Sequence, residues 1–244
     1  MNLSCGPKTF KNIRAIIFDK DGTLLDTQDF LRRLGIDRAR QLDAQIPGVG
    51  ESLLMAFGIE GDRLDPTYLL AVGSRQENLI AAAAYVAETG RSWAESLQAA
   101  RTAFDESDRL FQDEDTSPLF VGSLEVLSHL ADAGFKLGIL SADTNARVHQ
   151  FVQTCQLDDI IQVKLGVDDG PSKPDPRLFQ QACTALGVRP EDAIMVGDSP
   201  LDIEMAQRAG AAGTIGICWH SQDHRHLSQA DVTIEQLDQL QVVA

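Results

Sequence analysis

The chain has 244 residues, 43% of them hydrophobic, which is enough to bury one large core or two unequal ones. Its formal net charge of -15 argues against nucleic acid as a partner, since a phosphate backbone is gripped by clustered lysine and arginine and no such basic stripe appears. No stretch approaches the roughly 20 apolar residues of a membrane span, and Cys5, Cys155, Cys183 and Cys218 lie far apart without metal-ligand spacing. The N-terminus does not read as a secretory leader, so the expectation is a cytoplasmic protein with reduced thiols. An anionic substrate would be repelled by the overall field, so positive charge must be supplied locally by a cation, a lysine or helix N-termini.

The first predicted element is a buried strand over Ala15–Phe18, and Asp19, Lys20, Asp21, Gly22 and Thr23 follow at its exit. An ionised carboxylate at a buried strand end is costly without a cation or strong donors, and a magnesium-dependent phosphoryl-transfer site supplies both. Strand alternation puts Asp19 and Asp21 on one side and turns Lys20 away. Gly22 permits a sharp exit, and Thr23 can offer its hydroxyl or backbone N–H to an anion. The same residues also read as a strand ending in an ordinary Asp-Gly turn.

Residues 27–117 have alanine-rich helical periodicity and no convincing strand, which predicts an inserted domain of at least four helices. Ser74 with Glu77 and Ser92 with Glu95 match capping boxes, and Asp65-Pro66 reads as a further helix start. The run Ala81–Ala84 is expected to mark close helix packing. Because the insertion leaves directly after the Asp-Gly turn, its stems are expected beside the carboxyl ends of the strands, as a lid. Arg75 is a candidate for reaching a substrate carboxylate or phosphate with its guanidinium fork, although it also reads as an exposed first-turn residue.

From Gly122 onward, helical patterns alternate with short apolar runs, the pattern of a doubly wound parallel sheet. Helices are predicted over Leu124–Ala133, Asn145–Cys155, Pro176 to Gly187 and Pro200–Ala209, with strands over Leu137–Leu140, Ala193–Val196 and Thr214–Cys218. Ser141 ends a strand just before the helix opening at Thr144-Asn145, where its hydroxyl and nearby N–H groups, Ala142 included, can hold a phosphate oxygen. Ser141 also reads as a simple cap. His220, His224 and His226 cluster in sequence without a set of zinc ligands and read as surface loop histidines. His220 directly follows a core strand and is a candidate substrate contact.

Polar residues therefore close successive strands in the order Asp19 and Asp21, Ser141, Lys173 in Ser172-Lys173-Pro174-Asp175-Pro176, then Asp198 and Asp202. This series resembles the haloacid dehalogenase superfamily, in its phosphoglycolate phosphatase-like branch. The resemblance implies an α/β fold: a Rossmann-like three-layer core with a parallel sheet, formed by 1–26 and 118–244, plus an all-helical cap over 27–117. It implies Asp19 as nucleophile, Asp21 as general acid and base, and Lys173 as the lysine that neutralises the transferring phosphoryl group. Mg2+ would be held by Asp19, the Asp21 carbonyl and Asp198, with Asp202 behind a bound water or simply opening a helix.

A carboxylate at Asp21 disfavours the dehalogenases that resemble this fold, and the departure directly after Ser141, where many relatives carry asparagine and this chain has Ala142 and then Asp143, touches the phosphate-binding geometry. The implied activity is hydrolysis of a small phosphorylated metabolite. A phosphomutase of the β-phosphoglucomutase kind would share every core residue, and a non-catalytic relative is the remaining alternative. Neither the substrate nor the oligomeric state is legible.

Overall fold

A computed structural model describes residues 1–111, 117–168, 170–219 and 224–243. The chain divides into two compact units, Met1–Asp26 with Leu119–Ala244, and Thr27–Pro118.

The first unit begins with β1 (Asn2–Cys5), β2 (Lys8–Phe10) and β3 (Ala15–Phe18). In the second unit follow α1 (Gln28–Gln45), α2 (Gly50–Phe57), β4 (Ile59–Glu60), β5 (Arg63–Leu64), α3 (Leu69–Val72), α4 (Arg75–Glu88) and α5 (Trp93–Leu110). The first unit resumes with α6 (Ser123–Asp132), β6 (Lys136–Leu140), α7 (Asn145–Thr154), β7 (Ile161–Leu165), α8 (Pro176–Leu186), β8 (Ala193–Gly197), α9 (Pro200–Ala209) and β9 (Gly213–Ile217). β10 (Val232–Ile234) and β11 (Leu240–Val243) complete it.

Six strands pair in the order β10-β9-β8-β3-β6-β7, all parallel, with Ile17 of β3 beside Gly138 on one side and Met195 on the other. β3 is buried along its whole length because both faces are covered. Ile16 and Phe18 pack with Leu127, Leu130, Val148 and Val152 of α6 and α7, while Ala15 and Ile17 pack with Phe179, Ala182, Met205 and Ala206 of α8 and α9. Period-two alternation thus builds two helical layers around one sheet. Helix punctuation follows local chemistry: α8 has Asp175 as N-cap with Pro176 in its first turn, and left-handed Gly187 and Gly210 close α8 and α9.

A separate antiparallel sheet, β11-β1-β2, joins the two ends of the chain, with Leu3 opposite both Val242 and Phe10. No prediction covered it, because its pairing is non-local and its strands are short. Burial pushes the Cys5 and Cys183 thiols up to about 11 and 12, so both stay protonated at neutral pH.

The second unit has its own core, in which Leu79, Ala82, Ala83 and Val86 of α4 pack with Ala100, Ala103 and Phe104 of α5. Ser74 and Ser92 both form complete capping boxes. Two expectations need correction. Asp65 starts no helix: its carboxylate accepts from the Thr67 N–H and hydroxyl in a turn, and α3 begins only at Leu69. The unit is also not purely helical, since β4 and β5 form a hairpin pairing Ile59 with Leu64, turned at left-handed Gly61.

Candidate active site

The site lies at the carboxyl ends of β3, β6 and β8, where the chain leaves β3 for one side of the sheet and returns for β8 on the other. The β3 exit is a tight loop. Leu24 and Leu25 N–H groups donate to the Lys20 carbonyl, and Gly22 N–H donates to the Leu25 carbonyl at 2.8 Å. Gly22 is left-handed, with φ +79, and a Cβ there would meet Asp198 Oδ2 at 2.0 Å, so only glycine lets the loop lie against that carboxylate. Thr23 is buried and its hydroxyl donates to Asp198 Oδ1 at 3.3 Å, while Trp219 Nε1 donates to the Thr23 carbonyl from the end of β9.

Asp19 and Lys173 are both 5% exposed, and Lys173 Nζ lies 2.5 Å from Asp19 Oδ1 and 2.7 Å from Asp202 Oδ1. The Asp202 contact is an ion pair without a well-directed hydrogen bond at Oδ1. Asp202 Oδ2 accepts from the Ser199 N–H, closing a capping box at the start of α9, so Asp202 opens its helix and faces Lys173 at once. One oxygen from each of Asp19, Asp198 and Asp202 lies within 4.8 Å of the others.

Burial raises Asp19, against the pull of Lys173. Burial also raises Asp198 well above the usual carboxylate value, with Asp19 and Asp202 adding repulsion. Lys173 is desolvated, yet the carboxylates beside it hold it above an ordinary lysine, so it stays charged. Three hard oxygen donors crowded against one ammonium are a donor set that a small divalent cation fits, because the cation would remove the repulsion that lifts Asp198.

Asp21 sits at the rim. Burial raises it to about 6, the nearby Lys20 opposing and Asp143 and Asp19 adding to the rise. Here the structure corrects the alternation argument: Lys20 is 3% exposed and its Nζ lies 2.7 Å from Asp21 Oδ1 and 3.3 Å from Asp143 Oδ2. Alternation ceases once the strand ends at Phe18, so Lys20 is free to fold back to the carboxylates. Ser141 Oγ is 3.5 Å from Asp21 Oδ2, and Thr144 caps α7 through its side chain. Half-buried Ala142 lies in the loop between them.

Thus Asp19, Asp21, Thr23, Ser141, Lys173, Asp198 and Asp202 gather at one group of strand ends. Arg75 lies in the other unit, where its fork is engaged by Asp108 at 2.6 Å and Asp105 at 2.7 Å. His220 lies outside the described residues. Sequence reading missed Lys20 and passed over Asp143; the usable signal was that a lysine leaving a strand buried on both faces has no solvent to point into.

Buried carboxylates and a buried lysine gathered beyond the carboxyl ends of parallel strands, with helices on both faces of the sheet, define an α/β protein with its ligand site at that edge. The profile of the haloacid dehalogenase-like hydrolases matches residues 13–210. The chain belongs to that family of hydrolases. Among curated proteins it is 26% identical to the pyrophosphatase PpaX of Listeria monocytogenes, over 93% of this chain and 94% of that one. Its fold is similar to a predicted phosphoglycolate phosphatase from Haemophilus somnus 129PT, with TM-score 0.71 and 20% identity over 93% and 96% of the two chains. It is also similar to the β-phosphoglucomutase of Clostridium difficile, with TM-score 0.63 and 22% identity over 94% and 93%.

Proposed function

We propose that the protein hydrolyses a small-molecule phosphate monoester, of the phosphoglycolate or sugar-phosphate type, through an aspartyl-phosphate on Asp19. The observation that carries this reading is the pairing of two carboxylates with different surroundings. Burial raises both, but Asp19 lies against the Lys173 ammonium, which favours the ionised form that attacks, and Asp21, raised to about 6, can give and take a proton near neutrality.

In the first step Asp19 attacks phosphorus, the ester P–O bond breaks, and Asp21 gives its proton to the departing oxygen. In the second, water attacks the aspartyl-phosphate, Asp21 takes the water proton, and the Asp19–P bond breaks to release phosphate. Lys173 offsets the charge gathered on the phosphoryl oxygens, and Ser141, Thr23 and the Ala142 backbone are the donors that orient them. Mg2+ is the proposed cofactor, and when bound it would supply positive charge to the phosphoryl oxygens and to Asp19. Asp19, Asp198 and the Asp21 carbonyl would hold it. Asp202 Oδ2 already accepts from the Ser199 N–H and its Oδ1 faces the Lys173 ammonium, which supports a role outside the direct ligands. In this reading 1–26 and 118–244 are catalytic, the helical unit is the cap that selects substrate, and the setting is cytoplasmic.

Phosphate release is measured from phosphoglycolate, sugar phosphates and, given the name of the curated relatives, pyrophosphate, with magnesium or EDTA. Magnesium-dependent release abolished in Asp19→Asn is the expected outcome. Equal release by that variant overturns the nucleophile, and sugar-phosphate isomerisation that requires a bisphosphate replaces hydrolysis with mutase chemistry.

A further inference from the structure

Asp21 is held by a closed ring of polar contacts that none of the roles above requires. Lys20 Nζ bridges Asp21 Oδ1 at 2.7 Å and Asp143 Oδ2 at 3.3 Å. Asp143 N–H donates to Ser141 Oγ at 3.1 Å, and that hydroxyl faces Asp21 Oδ2 at 3.5 Å, returning to the starting carboxylate. The ring spans the exits of β3 and β6. Asp143 itself is fixed, because its Oδ1 accepts from Thr144 N–H at 2.8 Å and its carbonyl accepts from Val167 N–H at 2.7 Å. Gly166 lies against this loop so closely that a Cβ would meet Asp143 O and Asn145 N at 2.5 Å. The side chain of Asn145 further ties the loop to Asp168 at 2.7 Å and to Gly166 N–H at 2.9 Å.

We propose that Lys20 and Asp143 are a positioning pair that fixes the orientation of the Asp21 carboxylate toward the leaving-group oxygen. The proposal rests on the reading of Asp21 as general acid and base. A lone aspartate at a strand exit has two side-chain torsions to settle, and a proton donor acts only within hydrogen-bond reach of the oxygen it protonates. Lys20 is too buried to be a surface charge, and its ammonium meets both carboxylates of the ring. A neutral side chain at position 143 would take the Asp143 carboxylate away from the buried Lys20 ammonium.

The test uses kcat/KM on glycerol 2-phosphate, whose alkoxide leaves only with a proton, and on p-nitrophenyl phosphate, whose phenolate leaves without one. The ratio of the two isolates acid assistance in the first chemical step. Asp21→Asn sets the benchmark, with the ratio expected to fall by about 100-fold or more. If it does not fall, the reading of Asp21 itself is wrong.

With that benchmark met, Asp143→Asn and Lys20→Met are expected to lower the ratio by about 10- to 100-fold, since misplacing a catalytic group by about 1 Å can cost that much. The magnesium concentration for half-maximal thermal stabilisation is expected to stay within about threefold of wild type, because neither side chain is among the proposed ligands. A ratio within about threefold of wild type, or equal loss on both substrates, overturns the pair. Asp143→Asn retains the acceptor for Thr144 N–H and carries the test if Lys20→Met does not fold. Losses that multiply in the double variant also overturn it, since two members of one ring must be non-additive.

Discussion

At the residue scale, the site places groups that repel one another side by side and relies on Lys173 and Lys20 to keep them there. Asp21, raised to about 6 by burial, is protonated in half the molecules near that pH, and the protonated form is the one that assists a leaving group. Above about pH 6 the kcat/KM ratio of glycerol 2-phosphate to p-nitrophenyl phosphate is therefore expected to fall toward tenfold per unit. A flat ratio between pH 5 and 8 would remove Asp21 from proton transfer. Gly22→Ala combines a left-handed backbone with a Cβ 2.0 Å from Asp198 Oδ2. Strain alone is expected to cost about 1–2 kcal/mol in denaturant melts, and displacement of Asp198 to lower kcat/KM by about 100-fold.

At the element scale, legibility follows the range of the forces involved. The helices α4 and α5 begin where Ser74 and Ser92 put them, because a capping box is settled by residues three positions apart. Removing one side of such a box in Ser92→Ala is expected to cost about 1 kcal/mol in urea melts without changing the pH dependence of activity. Asp65 misled because an aspartate before proline serves a turn as readily as a cap, and there its carboxylate went to Thr67. The hairpin β4–β5 and the sheet β11-β1-β2 carried too few residues to show a period, and their partners are chosen by packing. Arg75 illustrates the same limit. Its place in the first turn of α4 was readable, but its engagement by Asp105 and Asp108 of α5 depends on how two helices meet.

At the scale of the whole molecule, the net charge of -15 makes a concentration of carboxylates at one set of strand ends still more costly, and a cation should relieve it. Asp19 and Asp198 are both raised in the fold, so the native state binds more protons than the unfolded chain between the ordinary carboxylate value and the raised one. Their contribution is present at low pH and is lost as pH rises through the raised values, while Lys173 keeps its proton throughout this window. Magnesium should compensate that loss. The rise in melting temperature on adding saturating Mg2+ is expected to be larger at pH 8 than at pH 5 and to be absent in Asp198→Asn; an equal rise in wild type and variant would remove Asp198 as a ligand.

What the sequence by itself determined is local and periodic: the apolar strand Ala15–Phe18, the polar residues just beyond β3, β6 and β8, the caps of α4 and α5, and the alternation that yields a parallel sheet with helices on both faces; Lys173, expected at a strand end, lies instead in the loop before α8. These follow from backbone periodicity and short-range hydrogen bonding, so they can be read without coordinates. Only the tertiary structure decided that Lys20 folds back onto Asp21 and Asp143, that Asp202 serves both its helix and Lys173, and that the chain's two ends share a sheet. The reason is that a buried charge takes whichever partner the fold brings within reach, and Asp143 reaches Lys20, and Asp19 and Asp202 reach Lys173, from positions far away in the chain.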